Sequence, residues 1–149
     1  MVQSVLVSGA SIAGPTLAYW LDRHGFDVTV VEKASRIRGG GYAIDIRGAA
    51  LDVVARMGLL PELRRAHVDT RRITFLDTDG SPIAALDAAT AVGSDAERDL
   101  EVRRGDLAQG LYRLTRDSVE YLFDDSIAAL DDRGGHVDVT FRSGARRRF

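Results

Sequence analysis

The pattern of apolar positions in the first thirty residues predicts a strand, a helix and a second strand, in that order. Ser4 to Val7 is a short, β-branched apolar stretch of the kind found in buried strands. From Ile12 to His24 the apolar residues recur at helical spacing, and Pro15 falls in the first turn, where its missing N–H is not needed. Gly25 ends the helix, and Val28 to Val31 forms the second strand. This order predicts a βαβ unit with a right-handed crossover.

The rest of the chain predicts shorter elements of both kinds. We expect strands at 42–46 and 100–102, helices at 49–57, 61–66 and 106–115, a hairpin pairing 73–76 with 83–86, and strands at 119–123, 127–130 and 137–141. The small and polar segment 88–98 predicts a mobile surface loop. After Ser143-Gly144 a further hairpin strand begins, so we expect a β-meander and a chain truncated at its C-terminus. The predicted fold class is α/β, with a Rossmann-like βαβ unit, a parallel sheet and a β-meander.

The amino-acid composition argues against several classes of function for this protein. The net charge of −2 gives no reason to expect nucleic acid or a membrane as a partner. Cysteine is absent, which excludes disulfides, thiolate metal sites and a cysteine nucleophile. The three histidines have no metal-ligand spacing, so no metal site is expected. The N-terminus lacks a signal-peptide pattern, and we expect a soluble, cytoplasmic protein whose partner is a small molecule.

The turn after the first strand carries the candidate chemistry. Gly9 and Gly14 occupy the first and third positions of a G-x-G-x-x-G pattern, and Ser11 replaces the middle glycine. Gly9 allows a sharp strand-to-helix turn, and Gly14 lets the helix lie close to the sheet. The N–H groups of Ile12 and Ala13 then face the place where a pyrophosphate would bind, at the positive end of the helix dipole.

Two charged residues extend this hypothesis. Glu32 ends the second strand 23 residues after Gly9, near the spacing of about 20 at which a carboxylate accepts hydrogen bonds from the adenosine ribose. The alternative for Glu32 is a solvated charge at the end of a strand. Arg104 lies where a helix begins, and an anion nearby would compensate for its unfavourable position. From the residues alone, a solvent-exposed Arg104 with Asp106 as the helix cap is favoured.

Three ordered motifs resemble the N-terminal part of the FAD-dependent aromatic hydroxylases, especially the branch that contains tetracycline-modifying monooxygenases. The motifs are VLVSGASIAGPTLAYWLDRHGFDVTVVEK, GGGYAIDIRG and EVRRGDLAQGLY. The resemblance covers nearly all 149 residues and implies an FAD-binding domain, with 68–100 as the candidate start of a substrate-facing sheet. It implies that FAD is bound by Gly9, Ser11, Ala13, Gly14, Glu32, Lys33, Asp45, Arg47 and Arg104.

The resemblance also implies an activity. An enzyme of this family uses NADPH or NADH and oxygen to hydroxylate an aromatic or polyketide-like small molecule, and the cofactor supplies the chemistry, so no catalytic residue is expected here. Two later FAD-binding motifs of the family are absent, and we therefore expect the isolated chain to bind FAD weakly and to self-associate through an exposed edge. The alternatives are another FAD oxidoreductase of the same fold and a non-catalytic nucleotide-binding fragment.

Overall fold

The structure is a computed structural model that describes residues 3–68, 70–87 and 99–149. The loop expected at 88–98 lies outside the described residues. The fold divides into two compact units, one formed by Met1–Gly40 with Leu107–Phe149 and the other by Gly41–Asp106. In chain order the described elements are β1 (Ser4–Ser8), α1 (Ala13–Arg23), β2 (Asp27–Val31), β3 (Ala43–Ile46), α2 (Ala49–Arg56), α3 (Leu60–Arg65), β4 (Arg72–Leu76), β5 (Pro82–Asp87), β6 (Leu100–Arg103), α4 (Arg104–Thr115), β7 (Glu120–Leu122), β8 (Ile127–Asp132), β9 (Val137–Phe141) and β10 (Arg146–Arg148).

A parallel sheet of order β1-β2-β7 forms the first part of the first unit. β1 pairs with β2 from Ser4↔Asp27 to Ser8↔Val31, and β7 pairs with the last three residues of β2. Four of the five residues of β2 are buried, as expected for a central strand covered on both faces. Ala18 of α1 packs on this sheet in a core with Val30 and other apolar residues. The predicted βαβ unit and its parallel sheet are therefore confirmed.

An antiparallel meander of order β10-β9-β8 completes the first unit. Phe141 and Val139 of β9 are buried together with Val31, the last residue of β2. The meander predicted from the sequence is thus present, and its third strand is β10. The predicted strand at 119–123 does not join this meander, because it pairs in parallel with β2.

Among its described residues, the second unit holds two separate strand pairs and two short helices. β3 and β6 are antiparallel, from Ala43↔Arg103 to Ile46↔Leu100, and α2 and α3 also lie in this unit. β4 and β5 form the predicted hairpin, with a register shift between Phe75 and Leu76. Every residue of β5 is exposed.

Several predicted boundaries differ by one or two residues, and the start of the helix predicted at 106–115 bears on the site. We expected a helix from Asp106, but α4 begins at Arg104, directly where β6 ends. The reason is a contact between segments distant in sequence, because the Arg104 N–H donates to the Tyr42 carbonyl at 3.1 Å and closes the β3–β6 ladder at this point. Asp106 consequently lies inside the first helical turn and is not the helix cap.

Candidate dinucleotide-binding site

The glycine turn between β1 and α1 depends on both of its glycines. Gly9 has φ of +99°, a conformation that favours glycine, and its N–H donates to the Val31 carbonyl at 2.7 Å. A Cβ atom at Gly14 would lie 1.8 Å from the Gly9 carbonyl oxygen, so no side chain fits there. This close approach of helix and turn is the packing that a dinucleotide-binding glycine supplies.

The first turn of α1 carries no acidic side chain of its own. Ile12 is the N-cap residue and makes no side-chain capping hydrogen bond. Ala13 is exposed and Ser11 is half-buried at this end of the helix. Because the first N–H groups of a helix carry partial positive charge, this end of α1 suits a phosphate.

The Glu32 carboxylate lies at the mouth of this turn. Its Oε2 accepts a hydrogen bond from the Ala10 N–H at 2.7 Å, and its Oε1 accepts one from the Ala34 N–H at 2.9 Å. The 2.7 Å distance lies well inside the limit of about 10 Å within which one ADP ribose can bridge the glycine turn and the acidic residue. A carboxylate offers about four lone-pair sites, so these two bonds leave acceptor capacity for two ribose hydroxyls.

The surroundings of Glu32 keep it ionised at neutral pH. Partial burial raises the pKa of its carboxyl group, but the backbone hydrogen bonds from Ala10 and Ala34 and the charges of Arg38 and Lys33 outweigh burial. The net result is a pKa below the ordinary value of 4.5. The carboxylate is therefore an acceptor, as a ribose hydroxyl requires, and its charge disfavours a 2′-phosphate.

Backbone pairing also fixes the segment around Glu32, a feature that the sequence did not reveal. The Glu32 N–H donates to the Leu122 carbonyl at 2.8 Å, and the Asp125 N–H donates to the Glu32 carbonyl at 3.2 Å.

Two basic residues lie near Glu32 in the sequence. Lys33, the predicted adenine neighbour, is exposed between Glu32 and Ala34. Arg38 was not among the predicted site residues, and the basic stretch Arg36 to Gly41 was the one signal that could have indicated it.

The remaining predicted FAD contacts lie in the second unit. Arg47 Nη2 is 3.1 Å from Asp45 Oδ2, and Arg47 Nε is 3.3 Å from Asp99 Oδ2. The Nε group is buried and its geometry toward Asp99 does not meet hydrogen-bond criteria. Arg104 is half-buried, and a Cβ at Gly41 would lie 3.7 Å from the Arg104 Cβ. Gly41 of the GGGYAIDIRG segment and Arg104 are thus neighbours within this unit, and the roles of Asp45, Arg47 and Arg104 stay predictions.

Two further observations limit the kinds of site in the described part of the chain. Across residues 3–68, 70–87 and 99–149 we find no group of three or more His, Asp or Glu side chains arranged to bind a metal ion. Over the same ranges, every helix falls short of the length and apolar character needed to traverse a bilayer.

Comparison with known proteins agrees with this geometry. A family model described as an NAD(P)-binding Rossmann-like domain matches residues 7–66. The chain is 48% identical over 149 residues to the uncharacterized protein Rv1260 of Mycobacterium tuberculosis, covering 99% of this chain and 40% of that protein. It is 33% identical over 140 residues to a flavin-dependent monooxygenase of Legionella longbeachae, covering 94% of this chain and 36% of that protein.

Solved structures give the same result. The tetracycline destructase Tet(55) superimposes with a TM-score of 0.81 at 34% identity, over 99% of this chain and 36% of that one. The chain thus spans about two fifths of the length of the relatives that it matches.

The glycine turn, α1 and Glu32 on a parallel sheet define a Rossmann-like α/β fold. Over nearly its whole length the chain is similar to flavin-dependent monooxygenases, tetracycline destructases among them. The resemblance predicted from the three sequence motifs is confirmed.

Proposed function

We propose that this chain forms the FAD-binding portion of a flavin-dependent monooxygenase. The observation that carries the proposal is the Glu32 carboxylate, which is hydrogen-bonded to Ala10 inside the glycine turn. A pyrophosphate at the N-terminus of α1 and a ribose at Glu32 would be neighbours, as they are in the ADP half of FAD. The 31–35% identity to flavin-dependent monooxygenases and tetracycline destructases favours FAD as the dinucleotide.

Each predicted site residue then has a task. Gly9, Ser11, Ala13 and Gly14 form the pyrophosphate turn, and Glu32 accepts the ribose hydroxyls. In this proposal Lys33 lies beside the adenine, and Asp45, Arg47 and Arg104 contact the rest of the cofactor. None of these residues moves a proton in the reaction, because their part is to bind and orient the cofactor.

The proposed activity follows from the relatives. Bound FAD would supply the redox chemistry, by which NADH or NADPH and O2 hydroxylate the substrate and release water. The substrate class is an aromatic or polyketide-like small molecule, supported by the resemblance to tetracycline destructases. The absence of cysteine fits a reducing cytoplasm, which we propose as the location.

FAD binding by the intact natural protein tests the nucleotide site. We expect the Glu32→Gln apoprotein to bind FAD about tenfold more weakly than wild type, because a hydrogen bond to a charged group contributes about 1.5–3 kcal/mol. Asp27→Asn is the matched control, since Asp27 is exposed at the opposite end of the same strand. Fluorescence titration measures both affinities. Equal affinities of the two variants would refute the role of Glu32.

A second candidate is NAD in the same turn, since the matching family model describes an NAD(P)-binding domain. Titrating the wild-type apoprotein with NAD and with FAD separates the two. Binding of NAD but not FAD would replace the proposal.

Monooxygenase activity is tested with FAD bound. The activity is identified by oxidation of NADH or NADPH that depends on an aromatic substrate, together with a product that mass spectrometry shows to be heavier by one oxygen atom. Reductant oxidation without oxygen transfer would instead favour another FAD oxidoreductase.

Arg104 is tested separately. We expect Arg104→Ala to lower the FAD content of the purified intact protein, because a guanidinium at a helix start is stabilised by a nearby anion. Arg103→Ala is the control, since Arg103 is the exposed neighbour at the end of β6. Absorbance at the flavin band relative to protein gives the content. Unchanged flavin content in Arg104→Ala would remove Arg104 from the site.

A further inference from the structure

The chain after β7 holds the Glu32 segment from one side. Besides the two backbone bonds at Glu32, the Asp124 N–H donates to the Ala34 carbonyl at 3.1 Å. Ala34 is the residue whose own N–H reaches Glu32 Oε1. The residues that present the Glu32 carboxylate are therefore fixed to residues 122–125 through three backbone hydrogen bonds.

Residues 122–125 are in turn fixed to the turn between β9 and β10. Asp125 Oδ1 accepts hydrogen bonds from the Ser126 N–H at 2.8 Å and the Ser143 N–H at 3.1 Å. Asp125 Oδ2 accepts one from the Ser143 hydroxyl at 2.5 Å. The hydrogen bond from the Ser143 hydroxyl is the largest cause of a lowered Asp125 pKa, so the carboxylate is ionised when it makes these bonds.

The backbone at this point is unusual as well. Within the described ranges, Asp124 is the one non-glycine residue with a positive φ, at 59°. Aspartate adopts this left-handed conformation more readily than most residues other than glycine, so Asp124 marks a tight turn here. The bonds of Asp124 to Ala34 and of Asp125 to Ser143 lie at this turn.

We propose that Asp125 and Ser143 are positioning residues of the nucleotide site, which hold the Glu32 carboxylate in place for the adenosine ribose. The inference rests on the proposed function. The meander then contributes to the site through two sets of hydrogen bonds. Ser143, in the turn between β9 and β10, donates to the Asp125 carboxylate. Residues 122–125 in turn make backbone hydrogen bonds to Glu32 and Ala34. A carboxylate displaced by even a fraction of an ångström loses hydrogen-bond strength toward a ligand.

The test is FAD titration of the intact apoprotein carrying Ser143→Ala. We expect affinity to fall about fivefold, within the range for residues that act through a neighbour. Ser143→Thr keeps the hydroxyl and is expected to retain wild-type affinity. Ser118→Ala is the matched control, because the Ser118 hydroxyl also donates to an aspartate, Asp22 Oδ2 at 2.9 Å, at a place that does not contact Glu32.

A double-mutant cycle separates positioning from general destabilisation. In a Glu32→Gln background, Ser143→Ala is expected to have no further effect on FAD affinity, because the group that it positions is already altered. A persisting fivefold loss in that background would overturn the inference. Should Ser143→Ala fail to fold, Asp125→Asn replaces it in the same cycle, with the same expectation.

The outcomes also separate this inference from the function on which it rests. Wild-type protein that binds no FAD would refute the proposed function and the inference together. Wild-type protein that binds FAD with the same affinity as Ser143→Ala would refute only the positioning role of Ser143 and Asp125.

Discussion

The central strand of the parallel sheet buries most of its residues, whereas the β4–β5 hairpin leaves most of its residues exposed to solvent. In β2 one residue is exposed and the next four are buried, whereas all six residues of β5 are exposed. Phe141, beside the parallel sheet, is 1% exposed, and Phe75 in the hairpin is 50% exposed. The strands also differ in sequence, because β2 holds four β-branched residues and β5 holds one, Ile83.

The difference shows which part of the molecule is stabilised by its own contacts. The candidate nucleotide site lies on a sheet whose core is buried and whose strand ends are joined by backbone hydrogen bonds. The hairpin leaves Phe75, Leu76, Ile83 and Leu86 at 45–66% exposure, and a two-stranded hairpin is marginally stable in water by itself. We therefore expect mutations to destabilise the sheet region strongly and the hairpin weakly.

The largest difference in the free energy of unfolding is expected between alanine variants of Phe141 and Phe75. Phe141→Ala should lower the free energy of unfolding by about 3–5 kcal/mol, because it leaves a cavity in a closed core. Phe75→Ala should lower it by about 1 kcal/mol or less, since the ring is already half in water. Denaturant unfolding of both variants measures the two values. Similar losses would show that the hairpin is stabilised as strongly as the sheet.

A smaller effect is expected at the glycine turn. Gly14→Ala forces a Cβ against the Gly9 carbonyl and should cost about 1–3 kcal/mol of stability, together with loss of FAD binding. Gly135→Ala is the control, because nothing lies within 4 Å of its added Cβ and its φ is not positive. We expect that control to keep or slightly raise stability. Equal behaviour of the two variants in thermal unfolding would contradict the tight contact.

Acid should weaken the site region through Glu32. Its folded pKa lies below the ordinary 4.5, so its stabilising bonds are fully present above that pH and are lost as pH falls through the folded pKa. Glu32→Gln should therefore make the unfolding free energy less dependent on pH below about 4.5. Denaturant midpoints of wild type and variant across this range provide the measurement. Parallel pH profiles would mean that the hydrogen bonds from Ala10 and Ala34 do not stabilise the fold.

Substitutions in the β4–β5 hairpin are expected to change stability least. Their main expected effect is on self-association of the chain. We expect the isolated 149-residue chain to associate and to purify colourless or faintly yellow, since exposed apolar patches and strand edges promote association. The double variant Ile83→Ser with Leu86→Ser should shift it toward monomer while changing unfolding free energy by less than about 1 kcal/mol. Sedimentation velocity measures this shift. A monomeric, bright-yellow wild-type chain would show that these residues form a complete domain.

Much of the architecture could be predicted because it depends on local patterns. The apolar runs of β1 and β2, the helical spacing of α1 and the glycines around them specify a βαβ unit without knowledge of distant contacts. The candidate site residues Gly9, Gly14 and Glu32 follow from the same short segment. The boundary of α4 was missed by two residues, because a hydrogen bond from Arg104 to distant Tyr42 decides it.

By itself, then, the sequence determined the βαβ unit, the glycine turn and the position of an acidic residue after β2, since period, glycine and charge act over a few residues. Only the tertiary structure decided that β7, within the strand predicted at 119–123, pairs in parallel with β2. It alone brought Leu122, Asp125 and Ser143 into the support of Glu32. These contacts join segments about 20 to 90 residues apart, and no local pattern encodes which strand edge a short apolar run will meet.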